Sequence, residues 1–229
     1  MIICEALSKH YRSSQGDPVR SLDQVSLRVE RGEFLVIRGH SGSGKTTLLL
    51  TLGAMLHPTG GRVLMDGKDV YEWSRRRRAQ FRAQSIGFVF QMFHLIPYLS
   101  VLENVLASHV SGPRAASRQK AENLLRDLGL GERLHHYPGQ LSAGEKQRAA
   151  LARAMAPDPV LMLADEPTGN LDPDHSRQVC DHLKRFQEGG GTVIFVTHGD
   201  MANAYADRTI KLEKGKLLSK GAPSVDAPC

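Results

Sequence analysis

The feature that most constrains this sequence is the eight-residue stretch Gly39-His40-Ser41-Gly42-Ser43-Gly44-Lys45-Thr46. It follows a short apolar run from Phe34 to Ile37 and precedes a leucine-rich segment holding Leu48, Leu49, Leu50 and Leu52. The stretch fits G-x-x-x-x-G-K-[ST], and its flanks read as a buried strand and a helix, the context that pattern requires. Glycines let consecutive backbone N–H groups curl around phosphate oxygens, and the helix N-terminus adds positive potential. Lys45 is then placed to reach β- and γ-phosphates and the Thr46 hydroxyl to bind Mg²⁺. A nucleoside triphosphate is the expected ligand. The competing reading, a flexible Gly/Ser loop beside an exposed lysine, leaves the strand–loop–helix context without a reason.

A strand feeding such a loop calls for an α/β sheet, and the rest of the chain supplies one. Val25, Leu27 and Val29 alternate with Ser26, Arg28 and Glu30, the period of a strand with one wet face, which predicts an antiparallel layer near the start. Pro58-Thr59-Gly60-Gly61 breaks the chain before Val63-Leu64-Met65 and an Asp66-Gly67 turn, read as another β pair. Ile86 to Phe90 and the charge-free run Val160 to Ala164 read as buried strands, and Thr192 to Thr197 as a β-branched strand. Ser100 with Glu103, and Ser142 with Glu145, have capping-box spacing. Asp172-Pro173 starts a helix that Gly189-Gly190-Gly191 stops. Strands alternating with helices predict a mainly parallel sheet. A helical segment over about residues 95–157 is expected as an insertion in a domain spanning 1–219, with 220–229 as a loose Pro/Ala/Ser-rich tail.

At 229 residues, 41% hydrophobic and 24% charged, the chain suits one large domain and excludes disordered and fibrous classes. Lysine and arginine exceed acids by 30 − 24 = +6, which fits a polyanionic ligand, nucleic acid or an anionic membrane face. Arg75-Arg76-Arg77-Arg78 with Arg82 concentrates that charge. No aromatic residues interleave the run and no nucleic-acid motif accompanies it, so no nucleic-acid partner is expected. Cys4, Cys180 and Cys229 are odd in number and lack CxxC spacing, so neither a disulfide framework nor a zinc site is indicated. Met1 to Glu5 does not read as a secretory signal, and the charge-free stretch between Arg82 and Glu103 is too broken by polar residues and proline to span a bilayer.

Two adjacent carboxylates, Asp165 and Glu166, follow the apolar run Val160 to Ala164, at the strand end where open α/β sheets do their chemistry. There Asp165 can orient Mg²⁺, and Glu166 can accept a proton from, or orient, the water that attacks a γ-phosphate. Two acids serving a turn before Pro167 is the plainer alternative. His198, after the strand 192–197, is either a polar sensor of the γ-phosphate or a structural histidine. Gln91, after Phe90, has an amide oxygen suited to Mg²⁺ or water.

In order and spacing, residues 39–46, Gln91, Leu141-Ser142-Ala143-Gly144-Glu145, Leu163-Ala164-Asp165-Glu166, Asn170-Leu171-Asp172 and His198 resemble the ATP-binding cassette family over about residues 1–217. Gly87-Phe88-Val89-Phe90-Gln91, Glu103-Asn104-Val105 and the stretch from Leu163 to Asp172 resemble, more narrowly, its lipoprotein-releasing and macrolide-export ATPases. The resemblance implies a P-loop NTPase (RecA-like) core with an antiparallel β subdomain and an inserted α-helical subdomain. It makes Tyr11 the adenine-stacking aromatic, Gly39 to Thr47 the Walker A loop, Gln91 the Q-loop, and Ser142, Ala143, Gly144 and Glu145 the signature. Asp165 becomes the Walker B carboxylate, Glu166 the catalytic base, Asp172 the D-loop acid and His198 the switch histidine. ATP and Mg²⁺ are implied, bound between two copies joined head to tail, with the signature acting in trans. Integral membrane permease subunits are the implied partners, at the cytoplasmic face of the cell membrane. A cell-division cassette that signals through a membrane partner without transport is the alternative. A small-molecule kinase would leave the signature segment and His198 idle, and a chromosome or repair ATPase would need a long coiled coil. The chain departs from the family at Ala143 and Glu145, where glycine and glutamine are usual. Ala143 adds a Cβ near phosphate, and Glu145 either places a charge there or turns back as a capping-box residue.

Overall fold

The computed structural model describes residues 1–12, 18–108 and 114–218. The expected tail at 220–229 lies outside them. Two sheets organise the chain. The first is four-stranded and antiparallel, in the order β2-β1-β4-β5, with β1 at Ile2–Arg12, β2 at Pro18–Val29, β4 at Gly60–Met65 and β5 at Lys68–Asp69. The alternation read in β2 sets its register: Leu27 opposes Cys4 and Val29 opposes Ile2, so these side chains share one buried face while Ser26, Arg28 and Glu30 meet water.

The second sheet is six-stranded, in the order β10-β9-β3-β8-β7-β6. Its strands are β3 (Phe34–Arg38), β6 (Ile86–Phe90), β7 (Leu161–Asp165), β8 (Thr192–Thr197), β9 (Arg208–Glu213) and β10 (Lys216–Leu218). All neighbours run parallel except β10, which returns antiparallel to β9. The charge-free runs in β3, β7 and β8 follow from burial on both faces. On one face Leu35, Ile37, Leu163, Ile194 and Val196 join Leu48, Leu49 and Leu52 of α1 (Lys45–Leu52) and the inner side of the antiparallel sheet. On the other, Phe34, Val36, Met162, Ala164, Val193 and Phe195 meet the helices that follow β6 in the chain. Val160, read as the first residue of its strand, lies outside β7 and is exposed, because pairing with β6 begins at Leu161.

Between β6 and β7 lie α3 (Val101–Leu106), α4 (Arg114–Asp127) and α5 (Ala143–Met155). Both expected capping boxes form: Ser100 and Ser142 each accept from the backbone N–H three residues on, and Glu103 and Glu145 reach back to the cap N–H. Asn104, fully buried on α3, donates to the carbonyls of Ile96, Leu99 and Ser100 and accepts from the Ile96 N–H, so its burial is satisfied locally. After β7, α6 (Pro173–Glu188) begins at Asp172 and ends before Gly189.

The arginine run forms α2 (Arg75–Ser85), which buries no residue. Arg78 donates to the Trp73 carbonyl at 2.6 Å, Arg82 to the Ala54 carbonyl at 2.8 Å, and the Arg77 guanidinium lies 4.5 Å from the centre of the Trp73 ring. Three of the five arginines therefore anchor the helix to its own domain, and Arg75 and Arg76 are left exposed.

Candidate functional site

The phosphate loop leaves β3 at its C-terminal end and is held there by the Gly39 N–H, which donates to Thr197 O of β8 at 3.2 Å. Gly44 caps α1 with φ 103°, and a Cβ there would sit 2.2 Å from Ser21 O, so position and backbone both demand glycine. Lys45 is 7% exposed; its ammonium donates to Gly39 O at 2.8 Å and His40 O at 3.1 Å and lies 3.3 Å from Glu166 Oε1. Ser21 donates to Thr47 Oγ1 at 2.8 Å.

Asp165 is the last residue of β7 and Glu166 follows at φ 47°, a left-handed conformation that turns its carboxylate back over the loop. The Glu166 N–H keeps its bond to Val196 O at 2.9 Å. Glu166 Oε2 accepts from the His198 N–H at 3.2 Å and meets His198 Nδ1 at 2.8 Å. The carboxylate thus stands between an ammonium and an imidazole. The Thr46 hydroxyl donates to Asp165 Oδ1 at 3.1 Å. Burial pushes the Asp165 carboxyl above its ordinary range, and the Thr46 hydrogen bond opposes that.

Around these groups opens a cleft of about 540 Å³, bordered by Ser21, His40, Ser41, Gly42, the stretch from Gly44 to Thr47, Gln91, Glu166 and His198. Gln91 is exposed on the loop after β6; its carbonyl accepts from Asn170 Nδ2 at 3.2 Å. A buried carboxylate that burial disfavours, bonded to a hydroxyl and near an amide, is a set of hard oxygen donors that fits Mg²⁺ with several waters retained. Sequence reasoning missed Ser21, which lies on a different strand and carries no motif.

The other expected site residues lie elsewhere. Tyr11, on β1, is 41% exposed with the Lys9 ammonium 5.4 Å from its ring centre, and it does not border this cleft. Ser142, Ala143, Gly144 and Glu145 form the N-terminus of α5, also away from it. Glu145 is already engaged. Oε2 accepts from the Ser142 N–H at 2.8 Å and Oε1 from Arg133 Nε at 2.9 Å, and these bonds, with Arg133 the largest influence, hold its carboxyl at about 2. Of the two readings of this position, the capping one describes the chain. Asp172 caps α6: Oδ1 accepts from the N–H groups of Asp174 and His175, both at 3.0 Å.

Residues 22–169 match the ABC transporter family. The chain is 44% identical to the lipoprotein-releasing system ATP-binding protein LolD of Syntrophus aciditrophicus, over 89% of this chain and 93% of that protein. It is 42% identical to the macrolide export ATP-binding/permease protein MacB of Hyphomonas neptunium over its whole length, but spans only 36% of MacB. The dimeric structure of a bacterial ABC transporter cassette superposes with TM-score 0.89 at 36% identity, covering 95% of this chain and 96% of that one. A dimeric post-hydrolysis cassette bound to ADP and Pi superposes with TM-score 0.85 at 33% identity, over 95% and 96% of the two chains. The chain belongs to the ABC transporter family and is an ATPase of the ATP-binding cassette type.

Proposed function

We propose that two copies of this chain close head to tail around two ATP molecules and so drive membrane-spanning permease subunits, from the cytoplasmic face of the cell membrane, in lipoprotein release or hydrophobic-compound export. One observation carries the reading: Lys45, Thr46, Glu166 and His198, drawn from three separate parts of the chain, meet at one cleft, and Asp165 stands behind it on the Thr46 hydroxyl. The substrate class follows the printed activities of LolD and MacB. Among the described residues no helix is long and apolar enough to cross a membrane, and in this reading the work is done on membrane-spanning permease subunits.

In this reading the loop N–H groups and Lys45 hold the β- and γ-phosphates, and Tyr11 stacks on adenine. Thr46, Asp165 and Gln91 would hold Mg²⁺, which would supply positive charge to offset that of the phosphates. Glu166 accepts a proton from the attacking water, and His198 keeps the carboxylate aimed. Lys45 leaves its ion pair with Glu166 when phosphate offers a stronger one, which frees the base as the substrate arrives. The second copy brings Ser142 to Glu145 to the γ-phosphate and Asp172 to the shared face. Glu166→Gln should keep ATP affinity, slow hydrolysis by roughly 10²-fold or more, and accumulate as a dimer with ATP and Mg²⁺ in light scattering. Hydrolysis at the wild-type rate, or a variant that stays monomeric, would refute it.

A further inference from the structure

His175 carries no motif, yet it touches two of the segments assigned to the shared face. Its Nδ1 lies 2.5 Å from Asp172 Oδ2, while its backbone N–H occupies the other Asp172 oxygen. Its ring covers Gly144 so closely that a Cβ on that glycine would fall 2.3 Å from Cδ2, 2.8 Å from Cγ and 2.9 Å from Nε2. One turn further along both helices, Arg148 Nη1 donates to Gln178 Oε1 at 3.0 Å. Residues 144 and 148 share one face of α5, and 175 and 178 one face of α6, so the two contacts form a seam between the helices. The seam begins at their N-termini, the positive end of each helix, where Asp172 already takes the Asp174 and His175 N–H groups of α6.

We propose that His175 is a positioning residue that fixes the D-loop acid Asp172 to the signature turn at Gly144, so that both present to the second copy as one unit. The inference rests on the head-to-tail reading above. The ring supplies what neither partner has alone: a flat apolar face that admits only glycine beneath it, and a nitrogen that holds the acid. Side-chain exposure of 37% marks it as a surface link, not a core residue whose loss would unfold the domain. The same contact gives Gly144 a reason within one chain, independent of any ATP from the partner.

The link has two halves, and variants separate them. His175→Phe keeps a ring over Gly144 without the bond to Asp172; His175→Asn keeps a polar group near Asp172 without the ring. Both, and His175→Ala, should lower kcat by about tenfold or more, the scale on which small misplacements register. ATP affinity of the monomer by calorimetry should stay unchanged, because the phosphate loop is not touched. In a Glu166→Gln background, each should raise by about tenfold the ATP concentration needed for half-maximal dimer in light scattering. Gly144→Ala displaces the ring, so its loss of kcat should be much smaller on top of His175→Ala than in the wild type. A Glu166→Gln parent that does not dimerise overturns the head-to-tail reading and this inference with it. If the parent dimerises and either single-half variant keeps wild-type kcat and dimerisation, or the Gly144 and His175 losses add, the inference alone is overturned.

Discussion

Replacing Glu145 with glutamine isolates the charge of one carboxylate at the start of α5. Glutamine still offers an acceptor to the Ser142 N–H, so the capping geometry survives and only the ionic part of the contact with Arg133 is removed. The folded-state carboxyl sits at about 2 against an ordinary 4.5, a difference that would correspond at full strength to about 3 kcal/mol of stability at neutral pH. Arg133 is 42% exposed on its side chain, so solvent screens the pair, and we expect about 1 kcal/mol to survive. For a chain of this size that lowers Tm by roughly 2–4 °C. The sign with pH follows from the depressed value: the stabilisation is complete above about 4.5 and disappears as pH falls toward about 2. Urea unfolding of wild type and Glu145→Gln across this window, taken as a difference at each pH, reads the effect directly. A difference that stays constant with pH, or is absent at pH 7, would show that the carboxylate is not held by Arg133 and the cap, and that its charge is free to act at the phosphate.

Lys45→Ala should lower ATP affinity by tenfold or more in calorimetry, because the loop would keep its N–H groups and lose its charged donor to phosphate; unchanged affinity would refute the phosphate assignment. Phe195→Ala should cost about 3–5 kcal/mol in chemical denaturation, since the ring is fully buried and stacks on Phe34 with centroids 6.3 Å apart; a loss below about 1 kcal/mol would mean that the helical face of the sheet is not the core described above.

Local rules made much of this legible. Gly44, the two capping boxes and Asp172 are positions where one residue type satisfies a backbone need within four residues, so the sequence exposes them directly. The strands β1, β9 and β10 were not read, because β9 interleaves Arg208, Lys211 and Glu213 with its apolar residues, β10 is only three residues long, and β1 mixes polar side chains through bulges where its register shifts. Ser21 and His175 escaped notice for another reason. Each matters through a neighbour more than twenty residues away, Thr47 and Gly144 respectively, and no spacing rule spans such a distance. The arginine run shows the reverse case: one block of like charge in the sequence divides, once folded, into three anchors and two exposed groups.

The backbone of Glu166 sets stability against turnover. A side chain larger than glycine in the left-handed region costs about 1–2 kcal/mol, and asparagine tolerates that region better than glutamate. Glycine or asparagine at this position would therefore relax the turn and raise the melting temperature while removing the carboxylate that the proposed function uses as the base. On the reading proposed above, the strain at φ 47° is tolerated because this turn aims the carboxylate at Lys45 and His198, and thermal robustness alone would favour another residue here. In a related chain whose role had become purely to bind nucleotide, this is the first position at which the relief of strain would be free to show.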